Sequence, residues 1–348
     1  MKKLLISTLV MSFALAVATP VTVQANWLAD IWNRFGWGNP VEYGFGDTQE
    51  QTARPRVNIA VGEGTGGMAF AGLMYQNYLG NTANDYSFQV TSGQVIQAGL
   101  LSGELDMGAM AINIAATMFN ATQGEITVIK LNAHAANFIL YRGEGINSIE
   151  DLRGRTIHSG GQGSTQEFAF AHILRLNDIC PNTEVEMVWG SNHNHVANLL
   201  LAGEVDLVLL PQPFVTSVMQ QDESIQIALD LLDEWEAVMD GAPLPSSSTV
   251  VRTAFLEQNP EVVATFIREQ AAGVDFVVNN HARAAELMEQ FGITQASVAI
   301  DSLPNQRVVA ISGQNLYDAA IDFLNVMYEA NPDSVGGRIP DAAFWFIP

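Results

Sequence analysis

LLSGELDMGAM at residues 100–110 and LLAGEVDLVLL at residues 200–210 are one phrase written twice, one hundred positions apart. Each copy reads as the end of an apolar helix, a glycine where a left-handed C-terminal turn is needed, an acidic loop, and then a run with the character of a buried strand. Two further pairs keep the same order. GEGT at 62–65 answers GQGS at 161–164, each after an apolar run (VNIAV, RTIHS) and before a helical pattern, and YSFQV at 86–90 answers EVEMV at 184–188. Three elements recurring at nearly one offset are what two copies of an alternating strand and helix unit leave in a sequence. The expectation is an α/β protein of two similar, doubly wound lobes.

Outward from the repeat, strands alternate with helices from Arg56 onward, which implies parallel pairing with helices on both faces. Two extended segments, ANFILYR at 136–142 and STVVRTAF at 248–255, fall where the chain must enter and leave the second unit. They read as two hinge strands, so residues 55–135 and 253–348 are assigned to lobe one and residues 136–252 to the hinge strands and lobe two. After the second crossing only helices are expected.

The N-terminal end has a different character. Lys2 and Lys3 precede an apolar stretch too short to span a bilayer, Thr19-Pro20 breaks it, and Val23-Gln24-Ala25 is a small-x-small cleavage pattern. Residues 1–25 are read as a signal peptide cut after Ala25, and the protein as exported to a periplasm. Cys180 is the sole cysteine, which leaves neither a lipobox anchor nor an intramolecular disulfide. Residues 26–54, with Trp27, Trp32, Phe35 and Trp37, are read as an N-terminal arm packed on its own lobe rather than as a membrane helix, because an interfacial helix carries more positive charge than Arg34 alone.

Charge narrows the partners. Loss of Lys2 and Lys3 moves the formal net charge from −22 to −24 and leaves Lys130 as the one lysine. No basic stripe exists to bind phosphates, which excludes nucleic acid. An acidic surface of this kind repels itself in dilute buffer and is relieved at molar salt, where the screening length falls to about 3 Å, so a halophilic source is expected.

In open parallel sheets ligands bind where strands end and helices begin. The candidate loops are 62–68, 111–113, 160–165, 190–193 and 211–214, none of which contains Lys or Arg. They supply Thr65, Gly66, Met68, Asn113, Gln162, Ser164, Thr165, Trp189, Asn192, His193, Gln212 and Phe214 as candidate ligand-binding residues. The hydroxyls can cap a helix or turn to a ligand. Thr65 and Met68 are expected to approach the same ligand as Ser164 and Thr165, with Asn113 and Gln212 in equivalent places after the third strand of each unit. Micromolar binding needs about 8 kcal/mol, and helix N-termini alone give an anion about 0.3 to 2 kcal/mol each. Apolar contact from Met68, Trp189 and Phe214 would therefore carry much of the affinity for a neutral or weakly charged molecule, such as a heterocycle. His193 and His195 lie at i and i+2 without a nearby third ligand, so no metal is expected. Neither glycine-rich loop completes a P-loop or a dinucleotide fingerprint, and no cofactor is expected.

The order of VGEGTGGMAFAGLM, LLSGELDMGAMAINIAATMFN, NSIEDLRGRTIHSGGQGSTQEFAFAHIL, LLAGEVDLVLLPQPFVT and STVVRTAFLEQNPEVV resembles the substrate-binding proteins of ABC importers. Among them it is similar to the nitrate, sulfonate and thiamine-precursor group with the type 2 periplasmic binding protein fold. The resemblance runs from about Arg56 to the C-terminus and implies capture of a small solute between the lobes, closure about the hinge, and delivery to an inner-membrane ABC permease by a monomer. GEGTGG lacks the proline common in that group's first loop. Two other classes remain open on the same scaffold: the receptor of a tripartite ATP-independent transporter, and a lyase or pyrimidine-forming enzyme. Gene neighbours separate the two transporters, and export counts against a biosynthetic enzyme.

If self-repulsion governs this surface, the melting temperature rises from low to molar NaCl by more than that of a neutral homologue. A melting curve flat in salt removes the halophilic reading.

Overall fold

A computed structural model describes residues 54–348; the segment read as a signal peptide, the expected cleavage after Ala25 and nearly all of the expected N-terminal arm lie outside the described residues. Eleven strands are described: β1 (Arg56–Val61), β2 (Asp85–Val90), β3 (Met107–Ala111), β4 (Ile126–His134), β5 (Asn137–Tyr141), β6 (Thr156–Ser159), β7 (Glu186–Trp189), β8 (Leu207–Pro211), β9 (Gln226–Asp230), β10 (Pro245–Arg252) and β11 (Val308–Ile311). They form two sheets, ordered β11-β4-β10-β3-β1-β2 and β7-β6-β8-β5-β9. Each sheet is the centre of one lobe.

The repeated phrase occupies equivalent places. The helices Gly93–Ser102 and His193–Ala202 end at Gly103 and Gly203 with φ of 79° and 71°, the left-handed turn that a side chain would strain. The strands that follow, β3 and β8, each bury their first four residues. Such two-sided burial explains why both copies are continuous apolar runs rather than alternating ones.

Both lobes share one strand order: second, first, third, a crossing strand, fourth. In lobe one the crossing strand is β10, antiparallel to β3 and β4. In lobe two it is β5, antiparallel to β8 and β9. The two crossings are thus interior ladder strands and not free-standing hinges. They were legible as extended, but the pairing depends on partners more than fifty residues away. Short links remain: Ala135 and Ala136 between β4 and β5, and the approach to β10, where Ala135 N–H donates to the Leu244 carbonyl at 2.8 Å.

One expectation for the C-terminal part needs correction, and one assignment is extended: the last helix touches β4 and β10 of lobe one and also lobe two. A strand, β11, follows the second crossing and pairs with β4. The helix Gln314–Ala330, assigned to lobe one, packs against the lobe-two helix Thr165–Leu176, and its Phe323 ring meets the fully buried Trp235 of lobe two edge-on, 5.7 Å between centroids. One apolar cluster therefore runs through both lobes. The helix's apolar stripe predicts burial but cannot say against which lobe.

Lys130, on β4, is fully buried, and its Nζ donates to the Ile267 carbonyl at 3.0 Å. Burial without a contacting carboxylate lowers its pKa from 10.5 to about 7, with Asp275 pulling weakly the other way. The unfolded chain keeps the ordinary value, so between pH 7 and 10.5 it binds the extra proton and stability rises with pH. A shift of one unit corresponds to about 1.4 kcal/mol. Lys130→Met is expected to be more stable than the parent at pH 7 and to lose most of that rise; calorimetric melting at pH 7 and 9.5 checks both. Equal pH slopes in the two proteins overturn it.

Candidate functional site

The loops that follow β1, β6, β7 and β8 meet where the lobes face each other. Gly64 and Gly163 are matched members of the two glycine-rich loops, with φ of 80° and 75°. A Cβ built on Gly64 would lie 3.9 Å from Pro213 Cδ, which brings the first loop of lobe one against the last loop of lobe two. A cavity of about 510 Å3 lies beside this contact, lined by Glu63, Glu289, Ile293 and Thr294 of lobe one and by Asn194, Phe214 and Ser217 of lobe two. A smaller one of about 250 Å3 places Gln212, Thr216 and Gln220 opposite Asp301 and Asn305. Gln220 reaches across, its Nε2 donating to Asp301 Oδ2 at 2.6 Å and to the Ser297 carbonyl at 3.2 Å.

In lobe two the structure gathers several of the expected residues. A Cβ on Gly161 would lie 3.2 Å from His193 Cε1, and the His193 and Phe214 rings are 5.5 Å apart. Burial holds the His193 imidazole below its usual pKa, so it is neutral at pH 7, and its buried Nδ1 has no partner among the described residues. Ser164 Oγ donates to the Gly161 carbonyl, which fixes the loop. Thr165 begins the following helix and is half-buried, and Gln162 is exposed. Trp189 is half-buried at the end of edge strand β7, in register with Ser159. Asn192 is exposed and caps a helix, its Oδ1 accepting from His195 N at 2.9 Å.

In lobe one Thr65 Oγ1 donates to Oε1 of the buried Gln306 at 2.5 Å. Gly66 lets the first loop lie close to β10, where a Cβ would come within 2.9 Å of Ser247 Oγ. Three expectations change. Met68 is fully buried in the lobe-one core and presents no surface to a ligand. The Gln212 side chain turns back on its own helix, Oε1 accepting from Thr216 N at 3.2 Å and Thr216 Oγ1 at 2.9 Å. Asn113, 4% exposed, directs Nδ2 to the Ser334 carbonyl of the C-terminal segment at 3.5 Å, with Oδ1 buried and unpartnered. Asn113 and Gln212 are equivalent in chain order, but their side chains do not converge.

Several residues at the junction had no sequence signal. Arg307, at φ 51°, bonds to Asp230 Oδ2 of lobe two, lies 3.7 Å from Asp233, and donates to the Ala135 carbonyl at 3.3 Å. Its charge is spent on these partners. Burial nevertheless raises the Asp230 pKa, outweighing the pull of Arg307. His134, at the end of β4, is held neutral by burial and by Arg307, with Nδ1 buried and without a partner among the described residues. Among the described residues no group of three metal-ligating side chains is gathered, and no helix is long and apolar enough to cross a membrane.

The cross-lobe bond from Gln220 is exposed, so its loss is felt in the position of the lobes rather than in the core. Loss of about 1 kcal/mol shifts a two-state opening roughly fivefold. Gln220→Ala is expected to raise the radius of gyration of the ligand-free protein in solution scattering while its melting temperature stays within a degree or two. An unchanged scattering profile contradicts a closing role for this contact.

The NMT1/THI5-like family model matches residues 92–284, more than half of the chain. No curated protein sequence matches it. Several solved structures share the fold. An ABC transporter protein from Parabacteroides distasonis is 20% identical, with 84% of this chain and 98% of that chain covered at a TM-score of 0.69. The periplasmic aliphatic sulphonate binding protein SsuA from Escherichia coli is 16% identical, with 83% and 93% covered at a TM-score of 0.64. The alkanesulfonate-binding protein SsuA from Xanthomonas axonopodis pv. citri, bound to MOPS, is 12% identical, with 83% and 96% covered at a TM-score of 0.58.

Proposed function

The chain belongs to the NMT1/THI5-like family, and from that premise we propose that it is a periplasmic solute-binding protein. It captures a small organic molecule between its lobes and hands it to an ABC permease, acting as a monomer and not as an enzyme. The observation that carries this reading is the cavity of about 510 Å3 lined from both lobes, within the usual size range of small-molecule sites. Two short links and the exposed cross-lobe hydrogen bonds of Gln220 suit opening and closing about that cavity. Phe214 lines this cavity; Thr65, Gly66, Gln162, Ser164, Thr165, Trp189 and His193, on the loops around it, are proposed to meet the ligand with it, and Asn192 orders the loop beneath His193.

The ligand is neutral or weakly charged. Arg307, the cation at the lobe junction, is already held by Asp230, and the neutral His193 adds no charge. An anion would be desolvated against helix N-termini alone, a costly exchange without an opposite charge.

Mass spectrometry of small molecules released from the purified protein tests the reading. One species is expected at near-stoichiometric amount, and adding it back to stripped protein at about one hundred times its Kd is expected to stabilise the fold by about 2.7 kcal/mol. In the His193→Ala and Phe214→Ala variants the stabilisation should fall by an amount equivalent to a roughly five- to one-hundred-fold loss of affinity. A released molecule that binds all three proteins equally would move the site away from this cleft.

A further inference from the structure

On the flank of lobe one a recess of about 550 Å3 opens where edge strand β2 meets the helix Ala71–Tyr78 and the turn at Phe291 and Gly292. Its walls include four aromatic rings, Tyr78, Tyr86, Phe88 and Phe291, with Glu63 also on the lining and no Lys, Arg or His among the residues that form it. Two of these rings are fixed. The Tyr86 hydroxyl donates to Glu269 Oε2 at 2.6 Å, and Asn77 clasps the Tyr86 backbone, accepting its N–H at 3.0 Å and donating to its carbonyl at 2.8 Å. Phe88 lies 5.8 Å from the Tyr86 ring and 6.3 Å from that of the buried Phe70. Tyr78 is 48% exposed at its helix end and is the ring free to adjust.

Aromatic faces carry partial negative charge and attract cations, most strongly alkylated ammonium groups whose desolvation costs little. A carboxylate beside the rings adds to that attraction, and a chain of formal charge −22 raises the local concentration of any cation. We propose that this recess binds a small alkylammonium cation, as a second site beside the inter-lobe cleft. Glu63 and Gly292 also line the cavity between the lobes, so a bound cation would partner a carboxylate at the mouth of the cleft. The recess is built from lobe one alone, and the proposal therefore stands apart from the reading of the cleft.

Calorimetric titration of the full protein with tetramethylammonium chloride, at constant ionic strength set by NaCl, tests it against tert-butanol as a neutral analogue of similar shape. The cation is expected to saturate one site, with the neutral analogue at least about tenfold weaker. Tyr78→Ala and Phe88→Leu should each weaken the cation about three- to tenfold, and Glu63→Gln about fivefold. Tyr78 lies at the surface, so that variant remains informative if Phe88→Leu fails to fold. Equal binding of the two probes would reduce the recess to an apolar hollow, and cation binding untouched by Tyr78→Ala would place it elsewhere on the acidic surface; either result overturns the proposal.

Discussion

Each sheet is completed by a strand that arrives from the other lobe, and the rest of the molecule depends on that exchange. β5 sits between β8 and β9, and β10 between β3 and β4, so both are paired along each edge. Withdrawing either would strip two neighbours of their hydrogen bonds inside a buried sheet, at a cost far above what folding leaves in reserve. The lobes therefore cannot separate. They can only turn about the few residues between paired strands, and even there the links are tied: Ala135 bonds to Leu244, and Arg307 holds both Ala135 and Asp230.

A second constraint is the scarcity of positive charge. With 15 basic residues against 37 acidic ones, several arginines are committed to fastening the framework. Arg142 binds Asp222 and the Leu200 carbonyl, Arg252 binds Asp106 and the Leu105 carbonyl, and Arg307 binds Asp230. Lys130 is buried on β4. The surfaces between the lobes then offer backbone N–H groups, hydroxyls, amides, neutral imidazoles and the carboxylates of Glu63 and Glu289, but no free cation among the residues that line the cavity. Such a surface discriminates by shape and hydrogen bonding more than by charge.

The C-terminal helix adds asymmetry to a two-fold design. Through the edge-on contact of Phe323 with Trp235 it joins the apolar interiors of the lobes, while the cavities and the Gln220 contact with Asp301 are formed by other elements. Dense packing of this kind resists rearrangement, so the helix ties the two lobes together along this contact.

How much of this was legible follows from what is local. The glycines at 103 and 203, the buried runs after them and the paired glycine-rich loops declare themselves because turn conformation and two-sided burial act on a few consecutive residues. From these, two lobes of one design follow without coordinates. Loop positions after the strands were readable for the same reason, and they brought Gly161, His193 and Phe214 near one another. Side-chain direction was not: Met68 entered the core, Gln212 turned onto Thr216, and Asn113 turned toward Ser334, because each was decided by neighbours packed in three dimensions. Nor could Arg307, about 170 residues beyond Ala135, announce its place at the junction. The sequence by itself determined the repeat, the strand ends and the poverty of cations. Only the tertiary structure decided which strand fills the gap in each sheet, which lobe the last helix covers and which polar groups remain free, since these rest on contacts between segments that no local pattern relates.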